Sequence, residues 1–247
     1  MVDQRVLVLG ASSGLGRAVA SGLARDGARV VFAARRAEMV EAAAAEAGNG
    51  AIGIACDVSD EDSCNAVVAS TVEHFGGLDT IIFAAALGTL ARIEATDAAA
   101  WAEGFKTNVT GASLVTAAAL PHLEAAPYGR AIYFSSMSGT YTPPWPGLGL
   151  YGVTKAALER LVEYWNFEHR TIGFTRLIVG PAAGEPTAPS EFGRSWDMDV
   201  ATELLPTWGE MEHLSALVTP EDLTAAISTI LSVEAAIPVL AIVPRGR

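Results

Sequence analysis

Arg5-Val-Leu-Val-Leu9-Gly10-Ala-Ser-Ser-Gly14-Leu-Gly16 runs from a short apolar stretch through three spaced glycines into a helix-forming segment. An apolar run this short, with no polar alternation, reads as a strand buried on both faces, as in a parallel sheet covered by helices. Glycines at 10, 14 and 16 remove side chains where strand passes into helix, so the backbone can turn tightly and let a bulky anion approach. The helix start that follows offers free N–H groups and a favourable dipole to a pyrophosphate. The pattern predicts a strand over 5–9, a helix over 15–26 and a phosphate cradle between them that includes Ser12, Ser13 and Leu15.

The same alternation continues outward along the chain. Strands are predicted over 29–33, 51–55, 80–83, 131–134, 174–179 and 238–243, and helices over 37–47, 61–75, 98–124, 150–169 and 220–231. Thr219-Pro-Glu-Asp222 opens the last helix with an N-cap threonine and a proline at the first helical position. The result is a single-domain α/β fold over 1–247, a doubly wound parallel sheet of about seven strands with helices on both faces. Its ligand belongs beyond the carboxyl ends of the strands, where the strand order reverses. One long segment, 182–217, reads as irregular. It carries Phe192, Trp196, Met198, Trp208 and Met211 among acids and is expected to be a substrate lid.

Composition narrows the partners. The 247 residues carry 28 acids against 16 Lys and Arg, a formal charge of −12. That balance argues against nucleic acid or an anionic membrane surface and leaves a small-molecule substrate as the expected partner. Cys56 and Cys64 are too few for a disulfide framework and lack metal-ligand spacing, so no metal is expected. The first apolar run is too short for a signal peptide and every apolar run is interrupted, so the expected location is the cytoplasm.

The second strand, Val30-Val-Phe-Ala-Ala34, ends without the carboxylate that would bond a ribose 2′-hydroxyl, and Arg35–Arg36 follow. A guanidinium pairs bidentately with a 2′-phosphate, and two cations at a helix start oppose its dipole unless an anion sits there. The expected cofactor is therefore NADP(H), with NAD as the alternative.

Tyr151-Gly-Val-Thr-Lys155 puts a phenol and an amine four residues apart on one helix face. A tyrosine near its ordinary pKa of about 10 is a poor base at neutral pH, and a neighbouring ammonium would lower it. Ser135–Ser136 at the end of the preceding strand could polarise a substrate oxygen, with Ser138 as the rival to Ser136. Trp145, Leu148, Phe192, Trp196, Met198 and Trp208 could line an apolar pocket, with core packing as the other reading. The acids Glu185, Glu191, Asp197, Asp199 and Glu203 disfavour a strongly anionic substrate.

In this order the features resemble the classical short-chain dehydrogenase/reductase family over essentially the full chain. They are Gly10, Gly14 and Gly16; Asp57; Asn108 in Thr107-Asn-Val-Thr-Gly111; Ser136 in Ser135-Ser-Met-Ser-Gly139; Tyr151 and Lys155; Pro181; and Pro220-Glu-Asp-Leu223. The resemblance implies a Rossmann-type fold and an oxidoreductase of carbonyls and alcohols. It makes Tyr151 the acid/base, Ser136 the binder of the reacting oxygen, Lys155 the holder of the nicotinamide ribose and Asn108 the support of a relay water. It also implies cofactor contacts from Asp57 and Val58 at the adenine, from Arg35 with Arg36 at the 2′-phosphate, and from Ala84, Ala85 and Pro181. A homo-oligomer, tetramer or dimer, built on helices around 112–123 and 150–169 is implied as well. A cofactor-binding regulatory protein without turnover is the alternative from another class. Phe83-Ala-Ala-Ala86 departs from the family's Asn-Asn-Ala-Gly, and the stretch from Ser136 to Tyr151 is longer than usual and holds Pro143-Pro-Trp-Pro146.

Overall fold

The structure is a computed structural model, and it describes residues 3–184, 189–194, 196–212 and 216–244. Seven strands form one parallel sheet: β1 (Arg5–Leu9), β2 (Arg29–Ala34), β3 (Ile52–Ala55), β4 (Thr80–Phe83), β5 (Arg130–Ser136), β6 (Gly173–Val179) and β7 (Val239–Ile242). Their spatial order is β3-β2-β1-β4-β5-β6-β7, so the winding reverses between β1 and β4. Leu7 lies opposite Val31 on one side and Ile81 on the other, which makes β1 an interior strand of the sheet.

Both faces of β1 are buried, as its unbroken apolar run requires. Val6 and Val8 enter a core shared with α1 (Gly14–Arg25) and α9 (Pro220–Ser232). Leu7 and Leu9 enter a second core under α3 (Glu61–Phe75), α5 (Gly111–Ala125) and α7 (Gly149–Glu168). All four side chains are fully buried, and each contributes about 1.5–3 kcal/mol of burial. Local signals agree with this packing. Asp60 caps α3 by accepting from the Ser63 N–H at 2.8 Å, and Thr219 and Asp222 close a reciprocal capping box at α9.

Two elements differ from the sequence expectation. The helix predicted over 98–124 is α4 (Ala98–Phe105) and α5 joined by a π-helical turn, Lys106–Thr110, which turns Asn108 inward to full burial. The segment 182–217 is not irregular throughout: Met198–Glu212 forms α8. Ala201, Leu204 and Trp208 share one face of it and pack on Leu90 and Leu148, and that burial holds the helix despite Pro206 and Gly209. The remaining helices among the described residues are α2 (Ala37–Ala47), a single turn, α6 (Met137–Thr140), and a short 3₁₀ turn at Ile93–Ala95. Among the described residues, no helix is long and apolar enough to cross a membrane.

Candidate active site

The carboxyl ends of β1, β4 and β5 open into one cleft of about 1110 Å³. Its first wall is the turn after β1. Gly10 sits at φ +87°, and a Cβ there would come within 2.6 Å of the Ala85 nitrogen; a Cβ on Gly16 would meet the Gly10 carbonyl oxygen at 2.4 Å. The glycines thus let the turn, the start of α1 and the segment after β4 lie against one another, with room for a ligand above them.

Beyond β2 the cleft is lined by Arg35, Arg36, Asp57 and Val58. Arg36 is the N-cap residue of α2, a position where its side chain cannot accept a hydrogen bond. It folds back instead, donating to Ser12 Oγ at 2.8 Å and Ser13 Oγ at 3.2 Å. Asp57 accepts from the Ser59 N–H and hydroxyl at 2.9 and 2.8 Å. The Ser59 backbone bond is the main influence holding its carboxyl below the usual range, assisted by the charges of Arg35 and Lys106.

At the other end stand Ser136, Ser138, Tyr151 and Lys155. Ser136 is the last residue of β5 and the N-cap of α6, and its hydroxyl lies 2.9 Å from that of Ser138, so both serines face the same space. Tyr151 and Lys155 project from the first turns of α7. Lys155 is 1% exposed and donates to the Phe134 carbonyl at 2.6 Å, with its nitrogen 5.5 Å from the Tyr151 ring centre. Burial pushes the lysine down to about 8, with Glu159 pulling the other way. Burial pushes Tyr151 up to about 12, against the influence of the Ser136 hydroxyl. The sequence reading expected a neighbouring ammonium to lower the tyrosine. In this arrangement burial raises it with the Ser136 hydroxyl opposing, and the ammonium is engaged with a carbonyl beside the ring.

Nearly all the site residues expected from sequence line this one cleft, Pro181, Ala84, Ala85, Trp145 and Trp196 included. Asn108 does not. Its Oδ1 accepts from the Leu87 N–H at 2.7 Å, and its Nδ2 donates to the Leu87 carbonyl and to Thr154 Oγ1, both at 2.9 Å. Thr154 in turn donates to the Tyr151 carbonyl at 2.8 Å. The side chain expected to support a water therefore clamps the segment after β4 to the helix that carries the tyrosine.

The short chain dehydrogenase family profile matches residues 4–191. The chain belongs to the short-chain dehydrogenase family. Among curated relatives, serine 3-dehydrogenase of Agrobacterium fabrum is 36% identical over 159 residues, 63% of this chain and 61% of that protein. The cis-4-hydroxycyclohexanecarboxylate dehydrogenase of Sinomonas cyclohexanicum is 30% identical over 233 residues, 93% of this chain and 90% of that protein. A short-chain dehydrogenase structure from Streptomyces avermitilis superposes with a TM-score of 0.82 at 28% identity, covering 97% of this chain and 88% of that one. The chain is thus an oxidoreductase of a family that acts on small molecules.

An aromatic cover lies over the tyrosine of this short-chain dehydrogenase. Phe192 meets the Tyr151 ring edge-on at 4.8 Å, Trp196 meets Phe192 at 5.6 Å, and Trp208 meets Trp196 at 5.8 Å and Trp145 at 5.9 Å. Each indole N–H is spent on the protein: Trp196 on the Gly88 carbonyl at 3.0 Å, Trp208 on the Pro146 carbonyl at 2.9 Å and Trp145 on Thr142 Oγ1 at 3.2 Å. Trp208 is buried core of this unit; Met198 is exposed. Glu191, next to Phe192, lies 3.5 Å from the Arg36 guanidinium, so the same short segment spans both ends of the cleft. Glu185 lies outside the described residues.

Sequence reasoning overlooked Glu159, which is buried beside the site, and the acceptor role of the Phe134 carbonyl. The signal for Glu159 was available: it follows Lys155 by the same four-residue step by which Lys155 follows Tyr151.

Proposed function

We propose that this chain interconverts a carbonyl and an alcohol with NADP(H), using Tyr151 as the acid/base. The observation that carries the reading is that one cleft joins a glycine-built phosphate cradle and two arginines at one end to Ser136, Tyr151 and Lys155 at the other. The residues fit a nicotinamide dinucleotide. The Gly10–Gly16 turn packs without side chains against the start of α1 and the segment after β4 and leaves the cleft above it open to a pyrophosphate, Arg35 and Arg36 offer cations for a 2′-phosphate, and no carboxylate ends β2. Asp57 and Val58 would hold the adenine end, Ala84, Ala85 and Pro181 would flank the cofactor, and Lys155 would hold the nicotinamide ribose. When bound, the cofactor supplies or accepts the hydride.

The chain's own residues manage the proton and the geometry. In reduction Tyr151 donates its phenolic proton to the substrate oxygen, while a Ser136 hydroxyl hydrogen bond stabilises the charge that develops there. In oxidation the deprotonated tyrosine takes the proton back. Asn108 acts by position, fixing Leu87 against α7, and Ser138 supports Ser136 at the substrate oxygen. The aromatic walls, with their indole donors already engaged, favour a hydrophobic ketone, aldehyde or secondary alcohol. Glu191, Asp197, Asp199 and Glu203 around 189–212 disfavour a strongly anionic one. A homo-oligomer is the accompanying reading, supported by exposed Val153, Tyr164 and Phe167 on α7, and sedimentation tests it.

The deciding experiment follows NADPH absorbance with a panel of hydrophobic ketones and aldehydes. Turnover is expected, and Tyr151→Phe is expected to cut it by about 10²–10⁴ while NADPH still binds. NADPH binding without turnover of any panel member would instead mark a non-catalytic protein.

A further inference from the structure

Glu159 is 4% exposed and no step described so far uses it. Both of its oxygens accept hydrogen bonds: Oε1 from the Ser135 hydroxyl and Oε2 from the Thr140 hydroxyl, each at 2.6 Å. Acceptance at both oxygens is the pattern of the ionised carboxylate. The three residues belong to different elements. Ser135 precedes Ser136 at the end of β5, Thr140 closes α6, and Glu159 lies on α7 one helical turn beyond Lys155. Gly139 allows the approach, since a Cβ there would meet Glu159 Oε1 at 3.1 Å and Lys155 Cβ at 3.3 Å.

We propose that Glu159 is a positioning residue for this active site: its buried carboxylate ties the Ser136 strand end to the helix of Tyr151 and Lys155 and supplies Lys155 with a fixed counter-charge. A buried charge held by two hydroxyls is costly where an apolar side chain would pack as well, so its role is sought in what it holds. What it holds is the relative placement of the two segments that carry the reaction. Its charge also opposes the effect of burial on Lys155. Other ionisable groups on the packed elements are engaged elsewhere: Arg130 of β5 with the carbonyls of Val233, Glu234 and Ala235, Arg176 of β6 and Arg160 of α7 with Glu163, and His169 with Glu124. Tyr133 of β5 is paired with the Thr116 hydroxyl, Tyr151 stands beside Lys155, and Lys106 acts at Asp57.

The proposal rests on the reading of Tyr151 as acid/base, and the test separates the two. The chain has only two lysines, Lys106 and Lys155, so protein labelled with [13C]lysine gives two Cε resonances, and Lys106→Arg leaves Lys155 alone. The Lys155 titration midpoint in Glu159→Gln should fall by about one pH unit, as loss of a nearby opposite charge requires. A triple variant, Glu159→Met with Ser135→Ala and Thr140→Val, removes the same charge without leaving a buried amide or hydroxyl unpaired and should show the same fall. Glu159→Asp, which keeps the charge, should retain most of the original midpoint. An unmoved midpoint in either folded charge-free variant overturns the proposal. Tyr151→Phe is assayed alongside with NADPH and acetophenone. Retained turnover there would sink the acid/base reading, whereas the Lys155 midpoint answers for Glu159 whatever the turnover.

Discussion

The Lys155 ammonium donates to the Phe134 carbonyl at 2.6 Å and stands 5.5 Å from the centre of the Tyr151 ring, so it is held beside the tyrosine's face. Burial holds Tyr151 near 12 in this arrangement, which leaves it a phenol, a proton donor, throughout neutral pH. On the proposed mechanism carbonyl reduction uses that protonated form, so Tyr151 itself imposes no decline until the solution becomes strongly alkaline, and any earlier step belongs to Lys155 near 8. Alcohol oxidation needs the phenolate, whose population rises with pH, so its rate should climb tenfold per unit below the tyrosine's midpoint. Initial rates in both directions across about pH 6 to 10 check this, and an oxidation rate that falls through that range would contradict it.

Arg36 is pulled in two directions, toward Ser12 and Ser13 on the glycine turn and toward Glu191, 3.5 Å away. If the guanidinium serves a 2′-phosphate, the carboxylate competes with it. Glu191→Gln should then tighten NADPH binding severalfold and leave NADH nearly unchanged. Arg36→Ala should weaken NADPH by about 10- to 100-fold, the scale of a charge-assisted hydrogen bond, and Arg35→Ala should also erode the preference. Fluorescence titration with both cofactors measures it, and equal affinities in the unmutated chain would refute the NADP reading.

Asn108 makes three hydrogen bonds at full burial. Asn108→Ala removes the partner of the half-buried Leu87 N–H and carbonyl, at up to about 1–3 kcal/mol for each group that water does not reach. The expected outcome is a lowered Tm together with a fall in kcat larger than any change in cofactor affinity, because Leu87 and Tyr151 lose their common tie. Asn108→Asp keeps the acceptor for the Leu87 N–H but sets a second acceptor against the Leu87 carbonyl, so it should be no better tolerated. Thermal unfolding of the two variants decides the matter.

How much of this was legible depends on whether the signal was local. β1 and its glycine turn could be read because two-face burial demands an unbroken apolar run and the turn demands missing side chains. Tyr151, Lys155 and Ser136 were readable from spacing and strand end. The π turn at Lys106–Thr110 leaves no pattern in composition, so the inward aim of Asn108 and its bonds to Leu87 and Thr154 could not be derived. Helix α8 was hidden by Pro206 and Gly209, although Ala201, Leu204 and Trp208 keep the helical spacing that burial exploits. The direction of the Tyr151 shift depends on how deeply tertiary packing buries the ring, which no spacing encodes.

Phe192 is the residue through which the aromatic cover reaches Tyr151. Its ring lies edge-on to Tyr151 at 4.8 Å and occupies the space left by Gly88, where a Cβ would sit 2.0 Å from Phe192 Cε2. Removing the ring should do two separable things. It takes away apolar contact from a hydrophobic ketone, so the KM in Phe192→Ala should rise about tenfold, the scale of one lost aliphatic or aromatic contact. It also lets water nearer the phenol, which burial now holds near 12, so the tyrosine midpoint should fall toward its ordinary value. The oxidation profile would then reach its plateau at lower pH, while reduction would begin to decline earlier. Gly88→Ala should give the same pair of changes without touching Phe192 itself, because the added methyl group displaces the ring. A raised KM with an unmoved pH profile in both variants would mean that Phe192 shapes the substrate space and has no hold on the tyrosine's proton.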